Sequence, residues 1–283
     1  QICDCADGHC TAQCGEEDGG ASPTLACSIV HMSHPHAAAS ACPPPVQVTA
    51  ARPDQVPLPD ASMALLFELL TAAQVLTLWK CLLLERSILV TSSHPHVLAP
   101  VCEALCALLY PLKFVGSYVP VLHASLFGFL QAPIPFLMGV ERAALAEFQG
   151  TEDGRDTDFD DMVVVNVDAG TLSDNKHTRT LPAMPPHTER RMQQALFRLL
   201  HPTVAPLALL EPTPTQKKAL DMLALQRIQG IFMESIVELL ESYHGPSIPA
   251  TMDCKAFWQE LLDTQCFAFH ESLGNAECLN RYR

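Results

Sequence analysis

Ser87-Ile88-Leu89-Val90-Thr91-Ser92 is a short β-branched run without polar alternation, the pattern of a strand buried on both faces of a sheet. Ser93-His94-Pro95 breaks it. Upstream, Leu65, Leu66, Leu69, Leu70, Leu76 and Trp79 recur at helical spacing behind the start signal Pro59, Asp60 and Ser62, which predicts a buried helix, or two separated near Thr71. Downstream, Val97 to Tyr110 again reads as a helix, stopped by Pro111.

Working outward, residues 114–140 contain no Lys, Arg, Asp or Glu, and on length alone could pass for a membrane span. Pro120, Pro133 and Pro135, with His123, Gln131 and several glycines, divide the stretch into shorter pieces. It is parsed as a strand-like Phe114 to Val121, a helix around Ala124 to Leu130, and a strand Pro135 to Val140. The acidic stretch Glu152 to Asp161 has no apolar period and is read as a loop. Met162-Val163-Val164-Val165-Asn166-Val167 follows as another central strand. This order of helices and strands is the signature of a layered α/β module with a mostly parallel sheet. From Thr188 onward the pattern is helical: Arg191 to Leu200, Thr215 to Tyr243 and Cys254 to Phe269, a small all-α module.

The expected organisation is therefore a Cys-rich, low-complexity leader (1–45, disordered), a central α/β module (46–187), a helical module (188–274) and a tail (275–283). The charge follows this division. Of the 283 residues, 31 are acidic and 17 basic, a net −14, whereas residues 61–140 carry only three of each sign. Such a balance excludes nucleic acid or an anionic membrane surface as a main partner and favours a basic partner patch. No charged n-region and apolar h-region open the sequence, so no signal peptide and a reducing compartment are expected. The chain begins with Gln1, which reads as a fragment or a gene-model product.

Chemistry-bearing motifs are sparse. Cys3, Cys5, Cys10 and Cys14, with His9 nearby, could in principle close a zinc site, but the spacing lacks paired C-x2-C knuckles and free thiols are the expectation. His31, His34 and His36 carry still less signal. Neither G-x-S-x-G, G-x-x-x-x-G-K, H-E-x-x-H nor G-x-G-x-x-G occurs. The turn Ser92-Ser93-His94-Pro95-His96 has no glycine to let a backbone approach a phosphate, and its proline removes a donor. His94 and His96 are read as loop residues at a helix start. Asp153, Asp156, Asp158, Asp160 and Asp161 lack the calcium-loop spacing and are read as a solvated acidic loop. Arg86 of Glu85-Arg86 is expected to satisfy carbonyls at its own helix end or to pair locally. No cofactor, metal or catalytic residue is expected.

Four segments in order carry a family resemblance: Leu82-Leu83-Leu84-Glu85-Arg86-Ser87-Ile88-Leu89-Val90, Leu108-Leu109-Tyr110-Pro111-Leu112, Tyr118-Val119-Pro120-Val121-Leu122 and Ala132-Pro133-Ile134-Pro135-Phe136-Leu137-Met138-Gly139-Val140. They resemble the hallmarks of the central module of a DENN domain. Val163 to Asp168, followed by Leu181-Pro182-Ala183-Met184-Pro185, is similar to that module's last strand and exit. Ile228 to Tyr243 and the segment Phe257 to Phe269 resemble the downstream module, whose Thr-Gln-x-Phe-x-x-Phe pattern stands here as Thr264-Gln265-Cys266-Phe267-Ala268-Phe269, the second aromatic one position early. Residues 46–274 are covered. The apolar hallmarks Leu83, Ile88, Tyr110, Pro120, Pro133 and Phe136 are read as core and turn positions.

The resemblance implies a guanine-nucleotide exchange factor for a Rab GTPase, which opens the switch regions by binding the nucleotide-free GTPase in preference to its loaded states and needs no covalent chemistry of its own. It also implies an upstream longin-like module, of which residues 1–45 show no sign, so the exchange function is expected to be incomplete without that lobe. The alternative is a non-catalytic DENN-fold scaffold or adaptor in membrane trafficking. A cytoplasmic location is expected, on trafficking vesicle or endosomal membranes through partners. Because ligands of open α/β sheets collect at the carboxyl ends of strands, Ser92, Ser93, Tyr118, Asn166 and Asp168 are the candidate GTPase-facing residues.

Overall fold

A computed structural model describes residues 61–201, 220–244 and 254–272, with two short strands nearer the N-terminus, β1 (Thr24–Ala26) and β2 (Gln47–Thr49). The chain divides into two units, Gln1–Gln55 and Val56–Arg283. In the first, β1 and β2 pair antiparallel, Leu25 opposite Val48. The cysteine and histidine clusters of the leader, its expected disorder, and the tail 275–283 lie outside the described residues.

The second unit begins with two helices where the leucine periodicity predicts them, α1 (Ala61–Leu69) and α2 (Ala72–Leu83), bent 116° to each other. Thr71 makes the break: its hydroxyl accepts from the Gln74 N–H while the Gln74 side chain accepts from the Thr71 N–H, a reciprocal capping box. One whole side of α2 is buried, including Val75, Leu78, Trp79 and Leu82. Trp79 keeps its one donor satisfied by donating to the Leu108 carbonyl at 3.0 Å, so the indole is buried without an orphaned N–H.

Strand β3 (Ile88–Ser92) is buried along its whole length and lies at the centre of a five-stranded sheet in the order β4-β5-β3-β6-β7. Its neighbours are β5 (Phe136–Glu141) and β6 (Val163–Asn166), both parallel to it; β4 (Ser117–Val119) adds parallel to β5, and β7 (Thr171–Leu172) closes the far edge antiparallel to β6. The α/β, mostly parallel expectation is met. Side chains alternate between two cores. Ile88, Val90, Leu137, Val163 and Val165 face the larger one, formed with α1, α2, α3 (Pro95–Ala107) and the C-terminal helices; Leu89, Phe136, Met138 and Val140 face a smaller one with Phe127, Leu130 and Leu145. Each such fully buried aliphatic or aromatic side chain contributes about 1.5–3 kcal/mol, which is why a strand covered on both faces can be apolar throughout.

Several boundaries differ from the sequence parse. The strand expected over Phe114 to Val121 shrinks to β4, because Pro120 has no N–H to give to a ladder. The helix expected around Ala124 to Leu130 is present as a 3-10 helix, Ala124–Gln131, started by the His123 ring, which accepts from the Ser125 N–H. The acidic loop is locally helical: α4 (Arg142–Gln149) leads into α5 (Glu152–Asp156), capped by the Thr151 hydroxyl on the Gly154 N–H, and a 3-10 turn at Phe159–Asp161 is capped by Asp158. Acidic residues in a first turn favour that helical end through the dipole, a signal that apolar periodicity alone does not register. A one-turn helix α6 (Lys176–Arg179) follows β7.

The C-terminal helices are α7 (Pro186–Leu200), α8 (Met222–His244), α9 (Lys255–Leu262) and α10 (Gln265–Ser272). Pro186 at the first helical position starts α7 earlier than the apolar pattern does. Cys254 to Phe269 is two helices, not one, because Thr264 interrupts it: its hydroxyl donates to the Leu261 carbonyl at 2.6 Å and accepts from the Phe267 N–H. Phe232, Ile236, Phe257, Trp258 and Phe267 join the same core as Trp79, whose ring meets Phe232 edge-on at 5.4 Å between centroids.

Candidate functional site

The carboxyl ends of β3, β5 and β6 lie side by side, with Ser92 in register with Glu141 and Thr91 with Asn166. The chain leaves β3 through α3 toward the β4–β5 side, whereas β6 lies on the other side, so the order of the sheet switches between β3 and β6. That switch point is where ligands of open α/β sheets bind.

Asp168 sits at this point, held by the hairpin between β6 and β7. The Asn166 side-chain oxygen accepts from the N–H groups of Asp168 and Ala169, both at 3.1 Å, and forms the turn. Gly170 closes it at φ +59°, a conformation in which any other L-residue would be strained. The Gly170 carbonyl accepts from the Gln74 amide at 2.6 Å, which ties the hairpin to α2.

From this platform Asp168 reaches across to the end of β3. Ser92 donates its hydroxyl to Oδ1 at 2.6 Å; Ser93 donates both its N–H (2.7 Å) and its hydroxyl (2.8 Å) to Oδ2. The Arg142 guanidinium, at the start of α4, stands 3.5 Å from Oδ2. The Ser92 hydroxyl above all, then the two Ser93 donors and the Arg142 charge, pull the Asp168 carboxyl down to about 2 against the opposing effect of burial. Asp168 is therefore an anion whose lone pairs are largely occupied by its own fold. Ser92 also accepts from the His94 N–H at 3.0 Å, which fixes the entry to α3; His94 and His96 lie exposed at that entry with ring centroids 5.7 Å apart.

Four of the five expected site residues thus converge: Ser92, Ser93, Asn166 and Asp168. Tyr118 does not join them. It lies on edge strand β4 and donates its hydroxyl to Glu103 of α3 at 2.6 Å; burial first and then this bond push its pKa up. Arg142 is the residue the sequence reading missed, and its signal was its place directly after the third parallel strand.

Glu85-Arg86 corrects a second reading. Neither residue pairs locally: the Glu85 carboxylate accepts from the N–H groups of Gln265 and Cys266, and Arg86 pairs with Glu260 of α9. The joint between sheet and C-terminal helices is made here. The thiols of Cys81, Cys106 and Cys266 are pushed up by burial to about 11, 12 and 12, and that of Cys102 is raised for the same reason, so none is a thiolate nucleophile at neutral pH. Among the described residues no group of three or more His, Cys, Asp or Glu side chains is placed to hold a metal ion. No single described helix is long and apolar enough to cross a membrane.

Taken together, these features define a layered α/β domain whose switch point is filled by hydrogen-bonded side chains on an anchored hairpin. The DENN (AEX-3) domain family profile matches residues 28–170, and the chain belongs to that family. It is 28% identical over 159 residues to the DENN domain and WD repeat-containing protein SCD1 of Arabidopsis thaliana, an alignment covering 56% of this chain and 12% of that protein. It is 34% identical over 137 residues to the elicitor of plant defense protein 1 of Verticillium dahliae, covering 48% of this chain and 11% of the relative, and 31% identical over the same length to its counterpart in Gibberella zeae. The aligned part is thus about a tenth of each of these relatives.

Proposed function

We propose that this chain carries the central and downstream part of a DENN-type exchange factor for a Rab-family small GTPase, working in the cytoplasm on trafficking vesicle or endosomal membranes reached through partners. The observation that carries this reading is the family match across the whole parallel sheet, from β3 to the β6–β7 turn. An exchange factor accelerates nucleotide release by binding the empty GTPase more tightly than its loaded forms, a matter of differential affinity that requires no acid, base or metal of its own. The switch-point network supports such a role. Asn166, Gly170 and Gln74 hold Asp168 rigidly, and Ser92, which is buried, acts as a support rather than a contact. Ser93, Asp168 and Arg142 are the members of the network exposed to a partner, and the Asp168 carboxylate, fixed at the rim beside the Arg142 guanidinium, offers it a preformed polar and charged surface. Val121, Leu126, Phe129 and Ile134, exposed within the uncharged stretch, add apolar surface of the kind protein partners cover.

The test is a binding assay against a panel of Rab GTPases, each nucleotide-free, GDP-loaded and GTP-loaded, followed by release of a fluorescent GDP analogue. Preference for one empty Rab, with faster release, is the expected result. Equal affinity for all three states of every Rab would remove the exchange reading and leave a scaffold.

A further inference from the structure

Helix α7 presents a face that the switch-point network does not use. Its 15 residues, about 22 Å of helix, bury Thr188, Met192 and Leu196 on one side. On the opposite side, at successive helical turns, stand His187, Arg190, Arg191, Gln194 and Arg198, with no acidic residue on the same arc. A surface depression of about 460 Å³ runs along them. In a chain of net charge −14, a helix face about three turns long that carries three arginines and a histidine and no acidic residue of its own helix is a local exception.

The cationic residues are not equivalent, and His187 already faces Glu238 of α8, its Nδ1 3.2 Å from a carboxylate oxygen. Arg191 is committed to the fold: its guanidinium donates to Glu238 at 2.7 Å, to the Ser235 hydroxyl at 3.1 Å and to Glu234 at 3.3 Å, all on α8. Glu238 is held in turn by the Thr188 hydroxyl at 3.0 Å. Arg190 and Arg198 are exposed and form no ion pair among the described residues. They lie eight positions apart, so their guanidinium groups are carried about 12 Å from each other along one face. In an extended chain, side chains four residues apart point the same way and are separated by about 13 Å. The two spacings match.

We propose that this face of α7 docks an acidic segment of a protein partner, with carboxylate or phosphate groups at every fourth position of an extended strand seated on Arg190 and Arg198. Arginine forks suit such groups because they bind planar or tetrahedral oxyanions through two donors. An anionic bilayer is the poorer match: Glu234, Glu238 and Glu241 on the adjacent helix would be pressed against a surface of their own sign, whereas a single narrow chain can avoid them. The proposal uses none of the switch-point residues and does not depend on the GTPase reading.

The experiment uses the full chain and a fluorescein-labelled peptide of alternating glutamate and serine, about ten residues long so that it can span the helix. Its glutamine counterpart is the control, and fluorescence anisotropy is followed over a salt series. Binding that weakens with salt, and that Arg190→Glu with Arg198→Glu reduces at least about tenfold, is expected; Arg155→Glu, on α5 in the other layer, should leave it unchanged. Thermal melts of the variants confirm that they are folded. No binding above the glutamine peptide, or equal loss with Arg155→Glu, overturns the proposal. So does arginine-dependent sedimentation with phosphatidylserine-containing vesicles in the absence of peptide binding.

Discussion

Glu85 and Cys266 are 181 residues apart in sequence, and the carboxylate of the first accepts the N–H of the second at 2.8 Å, with the N–H of Gln265 on its other oxygen at 2.9 Å. Two hallmark segments meet in this contact. Glu85 ends α2 in a Schellman turn, the Arg86 N–H returning to the Cys81 carbonyl and the Glu85 N–H to Leu82, and it occupies the left-handed position of that turn at φ 51° where glycine is the usual residue. What keeps a glutamate there is the far end of its side chain, which caps the amino terminus of α10 while Thr264 satisfies the Phe267 N–H.

Replacing Glu85 separates the two effects. Glu85→Ala removes the cap and keeps the strained backbone, and should lower stability by about 1–2 kcal/mol. Glu85→Gly removes the cap but relieves the left-handed cost of roughly 1 kcal/mol, so it should be the more stable of the two. Urea midpoints check the order; alanine equal to or above glycine would mean that the turn carries no strain.

Gly139 joins another pair of hallmarks. A Cβ built there would stand 2.1 Å from the Pro120 carbonyl oxygen, and the Gly139 carbonyl accepts from the Leu122 N–H at 2.7 Å. The strand β5 and the Tyr118–Leu122 segment are in backbone contact, with no room between them. Gly139→Ala should cost about 1–3 kcal/mol by overpacking, read as a fall in the urea midpoint, whereas Gly128→Ala, whose Cβ would meet nothing within 4 Å, should not.

Periodicity carried the sheet and the long helices because burial leaves a repeating mark in sequence. Ile88-Leu89-Val90 and Val163-Val164-Val165 are apolar throughout because both faces of those strands are covered, and the break at Thr71 is visible as a cap. What stayed hidden rests on long-range polar geometry. Nothing local to Glu85 shows that its carboxylate will cap a helix 180 residues away, and nothing in Asp168 shows that its oxygens will be occupied by Ser92 and Ser93. The carboxyl-end rule picked out Ser92, Ser93, Asn166 and Asp168, which lie together because the rule follows topology; it also picked out Tyr118, whose strand lies at the sheet edge.

Cys81, Cys102 and Cys266 are buried protonated thiols and Cys106 is half-buried, with Cys81 raised to about 11 and Cys106 and Cys266 to about 12. Thiolates are the reactive species, so at pH about 8, near the ordinary thiol value, iodoacetamide should modify Cys81, Cys102 and Cys266 in urea but not in buffer, and the half-buried Cys106 more slowly in buffer than in urea. Peptide mapping separates them from the leader cysteines. Rapid labelling of Cys266 in buffer would mean that α10 opens readily and that the Glu85 cap is weak.

The Asp168 network makes an acid-dependent prediction with a defined sign. The folded carboxyl titrates at about 2 and the unfolded one near 3.8, so the folded state binds this proton less readily; the stabilisation is present above about pH 4 and is lost as pH falls toward 2. The group is near the surface, which limits its contribution to about 1 kcal/mol. Asp168→Asn should therefore cost about that much at neutral pH and flatten the stability profile on the acid side, while Asp174→Asn, on an exposed carboxylate paired with Arg179, should leave the profile nearly unchanged. If Asp168 also meets the GTPase, Asp168→Asn slows nucleotide release by more than its stability loss explains, measured at a temperature where the variant is fully folded. Ser92→Ala is the companion variant. It touches only the support of the carboxylate, so exchange should fall less with Ser92→Ala than with Asp168→Asn; the reverse order would place the partner contact on β3 instead of the β6–β7 hairpin.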